Sequence, residues 1–197
     1  MSAERRPLRA DAQRNRERLL EVAAAAFASK GADASLEEIA RQAGVAIGTL
    51  YRHFPTREAL FVAVHHAEMT RVAGYAEELL ARHQPLDALR LWMGCFTDFM
   101  TAKHGMAGAF RMVLASGDNP FTSMRRIVLD ALAKLVAACG SGLRQDVDGL
   151  DILTVLNGIS LAATDSAQTA RLIDLVLSGL KPPVPPGSAP HAAGDAR

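Results

Sequence analysis

Aromatic side chains are scarce in this chain, 5% of its 197 residues, so any core must be built mainly from Leu, Ala, Val, Ile and Met. Cysteine is scarcer. Cys95 and Cys139 stand singly in apolar helical patterns, without the paired spacing of a zinc or redox motif, and read as reduced thiols packed in a core. No apolar run approaches the roughly 18 residues that a membrane span requires. The N-terminal stretch MSAERRPLRADAQRNRERLL holds no apolar segment of signal-peptide length, and the expected location is the cytoplasm. The net charge is only +1, so a surface for a polyanion would have to be a local patch. There is no Gly-rich phosphate loop, no nucleophile elbow and no paired metal-ligand motif. The chain is therefore expected to be no enzyme and to carry no metal and no cofactor.

Strand-like alternation is also missing, and helical periodicity fills the chain almost end to end. Leu19, Val22, Ala23, Ala26 and Phe27 follow the i, i+3, i+4, i+7, i+8 spacing, and Gly31 ends that run. Ser35, with Glu38 three places on, has the spacing of a capping box, in which each side chain bonds the other residue's backbone N–H. The stripe Leu36, Ile39, Ala40 and Ala43 follows, and Gly44 ends it as a left-handed residue. A short helix fits from about Ala46 to His53, broken at Pro55. Thr56 caps a longer one reaching about Arg82. Leu86, Leu89, Met93, Phe96 and Met100 make one stripe, and Trp92, Cys95 and Phe99 a second, so that helix should be central. Gly105 and Gly117 bracket a short segment, and Asn119-Pro120 opens the next helix. The last two helices fall at about Leu150–Ala163 and Ser166–Leu180. The chain closes on KPPVPPGSAPHAAGDAR, a Pro-rich tail with nothing to bury, read as disordered.

The short helix inside AGVAIGTLYRHFPTRE is the informative part. A helix of barely two turns is marginal by itself, and only Val45, Leu50 and Phe54 are spaced to anchor it. Thr49, Tyr51, Arg52 and His53 must then project outward: a hydroxyl, a phenol, a guanidinium and an imidazole, with no acid among them. Ala46, Ile47 and Gly48 are small or apolar, which lets this end enter a groove closely, and Ile47 suits a thymine methyl. Residues 35–53 thus have helix-turn-helix spacing, the second helix suited to a DNA major groove.

The run SLEEIARQAGVAIGTLYRHFPTREALF resembles the DNA-binding motif of the TetR (tetracycline repressor) family of bacterial transcriptional regulators, over about residues 12–71. The cap, Ile-Ala, Ala-Gly-Val, Gly-Thr-Leu-Tyr, His-Phe and a basic residue after Thr56 all lie in register; Arg57 stands where the family usually has Lys. The resemblance implies an all-α fold of about nine helices, with an N-terminal three-helix helix-turn-helix domain and a larger helical bundle for effector binding and dimerisation. It implies phosphate contacts from Ser35, Thr49, Tyr51, His53 and Arg57, and base-edge contacts from Ile47, Gly48 and either Arg52 or Tyr51. It also implies repression, with the protein near the nucleoid. The chain divides accordingly into a basic flexible arm (1–11), the helix-turn-helix domain (12–71), the effector and dimerisation domain (72–180) and the disordered tail (181–197).

Two readings stand for the arm, rich in Arg5, Arg6 and Arg9 and held extended by Pro7: a reach into an adjacent minor groove, or a tail with no role in recognition. In the bundle, Trp92, Phe96, Phe99, Met100, Met106, Phe110, Met112 and Met124 offer a soft apolar lining for an unknown small-molecule effector, or simply a core. Thr154 and Asn157 are the candidate polar anchors. His65 with Met69 is a lone i, i+4 pair, too little for a metal. ILTVLNGISLAA and TARLIDLVLSGL carry more apolar surface than one stripe needs, and Gly158, Ser160, Ala162 and Ala163 permit close approach. These two helices should pair with their mates in a homodimer on a double-stranded, palindromic operator. The alternative is a helical protein-binding adaptor without DNA activity, which would show a large apolar stripe outside those helices.

Overall fold

The computed structural model describes residues 5–103, 113–114 and 121–182, with residues 5–10 and 32 as backbone alone. Among them lie eight α-helices and no strand: α1 (Arg5–Lys30), α2 (Leu36–Gln42), α3 (Ile47–His53), α4 (Arg57–Leu80), α5 (Pro85–Ala102), α6 (Phe121–Cys139), α7 (Gly149–Ala162) and α8 (Ser166–Leu180). Single 3-10 turns follow α1 and α6 at Gly31–Asp33 and Gly140–Gly142. The short segment read between Gly105 and Gly117 lies almost wholly outside the described residues, as do the Asn119-Pro120 helix start and residues 183–197 of the tail.

Helix α1 begins at Arg5, well inside the stretch expected to be extended. Pro7 does not break it, because a proline in the first turn lacks an N–H that would have no intrahelical partner there.

The helices enclose two apolar clusters. The first joins Leu19, Ala23 and Phe27 of α1 to Ile39 and Ala40 of α2, Leu50 of α3 and the first turns of α4. Phe27 meets Phe61 edge to face, ring centres 5.3 Å apart. The second gathers the later turns of α4 with α5, α6, α7 and α8 around Trp92, Met93, Leu132 and Leu156. Helix α5 is packed against α4, α6, α7 and α8, so its two apolar stripes do mark a central helix. Trp92 is fully buried, and its Nε1 donates to the Val72 carbonyl of α4 at 2.9 Å.

Helix α4 serves both clusters: Leu60, Phe61 and Val64 belong to the first, Met69, Val72 and Ala76 to the second. The boundary expected after residue 71 falls in the middle of this helix. Cys95 and Cys139 are half-buried free thiols, and burial raises both pKa values.

Candidate nucleic-acid interface and ligand cavity

The helix-turn-helix is fixed by backbone chemistry at its corner. At the end of α2 the Gly44 N–H bonds the Arg41 carbonyl at 3.1 Å and the Val45 N–H bonds the Ala40 carbonyl at 3.0 Å. That pair of bonds is the Schellman motif, and it needs a left-handed residue between them. Gly44 supplies it with φ +70°. The chain then leaves at the angle that sets α3 against α2.

At the other end of α2 the Ser35 hydroxyl accepts the Glu38 N–H at 3.2 Å. Glu38 does not return the bond as the box spacing implied. Its carboxylate instead takes two guanidinium bonds from Arg41, 2.9 and 2.6 Å, and that pairing, helped by Gln42, lowers its pKa to about 2. Ser35 also donates to Glu37 at 3.0 Å. A complete box does form at α7, where Asp148 caps Asp151 and Asp151 caps Asp148 in return; the shorter Asp in the third position hid it from the sequence pattern.

Leu50 and Phe54 are buried and anchor α3, while Val45 is only half-buried. Ile47 and Tyr51 are 38% and 44% exposed. Gly48 and Arg52 are exposed, Thr49 and His53 half-buried at the flanks. No acid lies on α3. Arg16 of α1 caps the packing, its guanidinium 5.5 Å from the Phe54 ring centre. Arg57 is half-buried, and Nη1 donates to the Ala34 carbonyl. The outward face of α3 is thus free of acids and polar apart from Ile47, on a helix of a width that fits a major groove.

A cavity of about 270 Å³ lies among α4, α5, α6 and α7. Each helix contributes one helical stripe: His65 and Met69; Phe96 and Met100; Phe121, Arg125 and Val128; Leu150, Leu153, Thr154 and Asn157. Of the lining residues expected, Phe96, Met100, Thr154 and Asn157 are there. Trp92 and Met124 are not; both are sealed in the second cluster. Phe99 lies behind the wall, stacked on His65 with ring centres 5.8 Å apart. Phe110 lies outside the described residues, as do Met106 and Met112. The His65–Met69 pair, too little for a metal, does line the cavity; neither His65 nor Arg125 is legible as lining, because each is one polar residue beside a strong apolar stripe and only the assembly of four helices turns them toward a shared space.

His65 is buried, with Phe99 on one side and Phe121 edge-on at 5.3 Å. Burial first, and then the charges of Lys103 and His66, push its pKa down to about 4, so the ring is neutral at pH 7. Lys103, at the end of α5, is itself buried. It reaches back to the Glu68 carboxylate of α4 and stands 4.9 Å from the Phe99 ring centre.

A helix-turn-helix with an uncovered second helix, joined by a continuous α4 to a bundle that holds a cavity, defines a DNA-binding transcriptional regulator. The chain belongs to the TetR family of bacterial regulators: residues 19–64 match the model of bacterial regulatory proteins of the tetR family, and residues 84–182 that of the SbtR-like transcriptional regulator C-terminal domain. It is similar to a TetR transcriptional regulator of Streptomyces coelicolor, with 44% identity, 86% of this chain and 99% of that one covered, and a TM-score of 0.76. A TetR regulatory protein of Mycobacterium vanbaalenii gives 35% identity, coverage of 89% and 100%, and a TM-score of 0.68. The HTH-type transcriptional repressor KstR of Mycolicibacterium smegmatis is 34% identical over 90 residues, 44% of either chain.

Proposed function

We propose that this regulator is a homodimeric repressor that holds a roughly palindromic operator and is released when a small molecule fills the cavity among α4, α5, α6 and α7. The observation that carries the DNA half is the outward face of α3, polar and without an acid. In this reading Thr49, Tyr51 and His53 bond phosphate oxygens and set the register, while Ile47, Gly48 and Arg52 or Tyr51 meet base edges. Ser35 and Arg57 are already engaged by the cap and by the Ala34 carbonyl, so their part is to brace the helices as well as to face the phosphates.

Pairing is supported by the outer surface of the last two helices. Leu161 and Leu175 are 72% and 67% exposed, Val155 is exposed too, and a Cβ at Gly158 would meet nothing within 4 Å. Ser160, expected on that face, turns inward instead; it is buried, and its carbonyl accepts from Thr101 of α5 at 3.4 Å. In a two-fold dimer the recognition helices would sit about 34–36 Å apart, one turn of DNA. A ligand need favour the non-binding spacing by only a few kcal/mol to empty the operator.

The test is a gel shift with DNA from beside the protein's own gene, at several salt concentrations. Sequence-selective, salt-sensitive retardation is expected; no retardation at any salt would leave the adaptor reading in its place.

A further inference from the structure

We infer that the cavity ligand is a small amphipathic carboxylate bearing a hydrogen-bond donor on its apolar part, with Arg125 taking the carboxylate and Asn157 the donor. This rests on the ligand-responsive reading above and adds to it the chemistry of the ligand.

The cavity walls carry opposite messages at two ends. Met69, Phe96, Met100, Phe121, Val128 and Leu153 give an apolar, deformable middle. The polar groups are few among the described residues: Arg125, His65, Thr154 and Asn157. Among the described residues Arg125, exposed at the rim, is the one permanent cation of the lining, and none of them that lines the cavity is an Asp or Glu. Among the described residues no carboxylate pairs with Arg125. This contrasts with Arg41, Arg90 and Arg144, which are paired with Glu38, Asp174 and Asp146. A guanidinium without a carboxylate, at the mouth of an apolar cavity, is a fork set for a planar anion.

Asn157 gives the second end. Its Oδ1 is buried and has no hydrogen-bond partner. A buried carbonyl left unmatched costs free energy that a donor on the occupant would recover. Thr154 does not serve it, because its hydroxyl already donates to the Leu150 carbonyl at 2.8 Å. His65, neutral and stacked on Phe99, adds no cation to the interior and so does not draw the carboxylate inward. Charge therefore stays at the rim, and the donor goes in. The volume, just below the usual range of about 300–1,000 Å³ for ligand pockets, suits one ring or a short chain.

The test uses the full-length dimer and matched probes: 4-hydroxyphenylacetate, its methyl ester, and phenylacetate, alongside the same triad built on 3-hydroxyoctanoate. Binding is read by calorimetry, and operator release by gel shift. The hydroxylated acids are expected to bind best, the esters about tenfold more weakly. Arg125→Gln should erase the acid-over-ester preference and leave ester affinity unchanged. Asn157→Leu should erase the hydroxyl preference and keep the acid preference. Esters binding as well as the acids, a preference that survives Arg125→Gln, or no binding by any probe would each overturn the inference. Operator retention separates the two levels: DNA bound and then released by neutral compounds keeps the regulator reading and removes the carboxylate, whereas DNA never bound removes the regulator reading itself.

Discussion

Arg57, in the first turn of α4, donates from Nη1 to the carbonyl of Ala34, the residue that precedes the Ser35 cap of α2. The bond spans 23 positions of sequence and closes the helix-turn-helix from behind, joining the helix that follows the motif to the one that opens it. Arg57→Ala should therefore lower stability by about 1–2 kcal/mol in urea denaturation. Arg57→Lys keeps a charge at that helix start but not the planar fork, and should recover less than half of the loss. Full recovery by Lys would mean that charge alone matters there.

The Gly44 corner predicts a backbone effect. A Cβ there would meet only Arg18 Nη1, at an ordinary 3.9 Å, so crowding is not the issue. The left-handed φ is. Gly44→Ala should cost about 1–2 kcal/mol, measured by chemical denaturation, and should weaken operator binding beyond that by tilting α3. A neutral result would show that the corner relaxes into another turn.

Arg52 is exposed and has no structural duty in the described residues. Arg52→Ala should leave stability within about 0.5 kcal/mol of the parent. If the side chain meets phosphate, the log–log salt slope of operator binding falls by about 1. If it meets a base edge, the slope holds and the sequence preference at one position relaxes. Unchanged affinity, slope and preference would remove Arg52 from the interface.

His65 predicts a pH dependence with a definite sign. Its folded pKa, about 4, lies below the ordinary 6.5, so the unfolded chain takes the proton first as pH falls. The contribution is complete above about 6.5, declines as pH drops and is gone once pH passes about 4, a loss on the order of 3 kcal/mol. Lys103 and His66 are the charged groups that act on it. Urea denaturation between pH 7 and 4 should show a shallower decline for His65→Leu than for the parent. Parallel curves would place the proton elsewhere.

Leu175 and Leu161 are the most exposed large apolar side chains described. Leu175→Glu should convert the protein to a monomer by light scattering at micromolar concentration, at nearly unchanged monomer fold. A dimer that persists in both Leu175→Glu and Leu161→Glu would move the interface off α7 and α8.

The helix-turn-helix was legible in the sequence because its signals are local: Ser35 at the cap, Gly44 at the corner, Pro55 at the break and Thr56 at the next cap all act on neighbours a few residues away. The core of α5 was legible for the same reason, from its two stripes. The cavity was not. Trp92, expected among the apolar lining, fills the core instead, with its N–H satisfied by the Val72 carbonyl. Arg125 gives no local sign, and His65 none beyond its pairing with Met69, since a polar residue at the edge of an apolar stripe usually faces water. The start of α1 is not legible either, because the effect of Pro7 depends on which turn of the helix it occupies.

The 24-residue α4, about 36 Å long, has consequences for how the protein can be cut and joined. Because both apolar clusters draw on it, a fragment ending near residue 71 would carry half a rod with an uncovered stripe. A hybrid that swaps reading heads between relatives at that point would mismatch the seam on every turn. Crossovers belong in the linker at 81–84, where α4 has finished and the next helix has not begun, and engineered sensors built that way would inherit an intact spine.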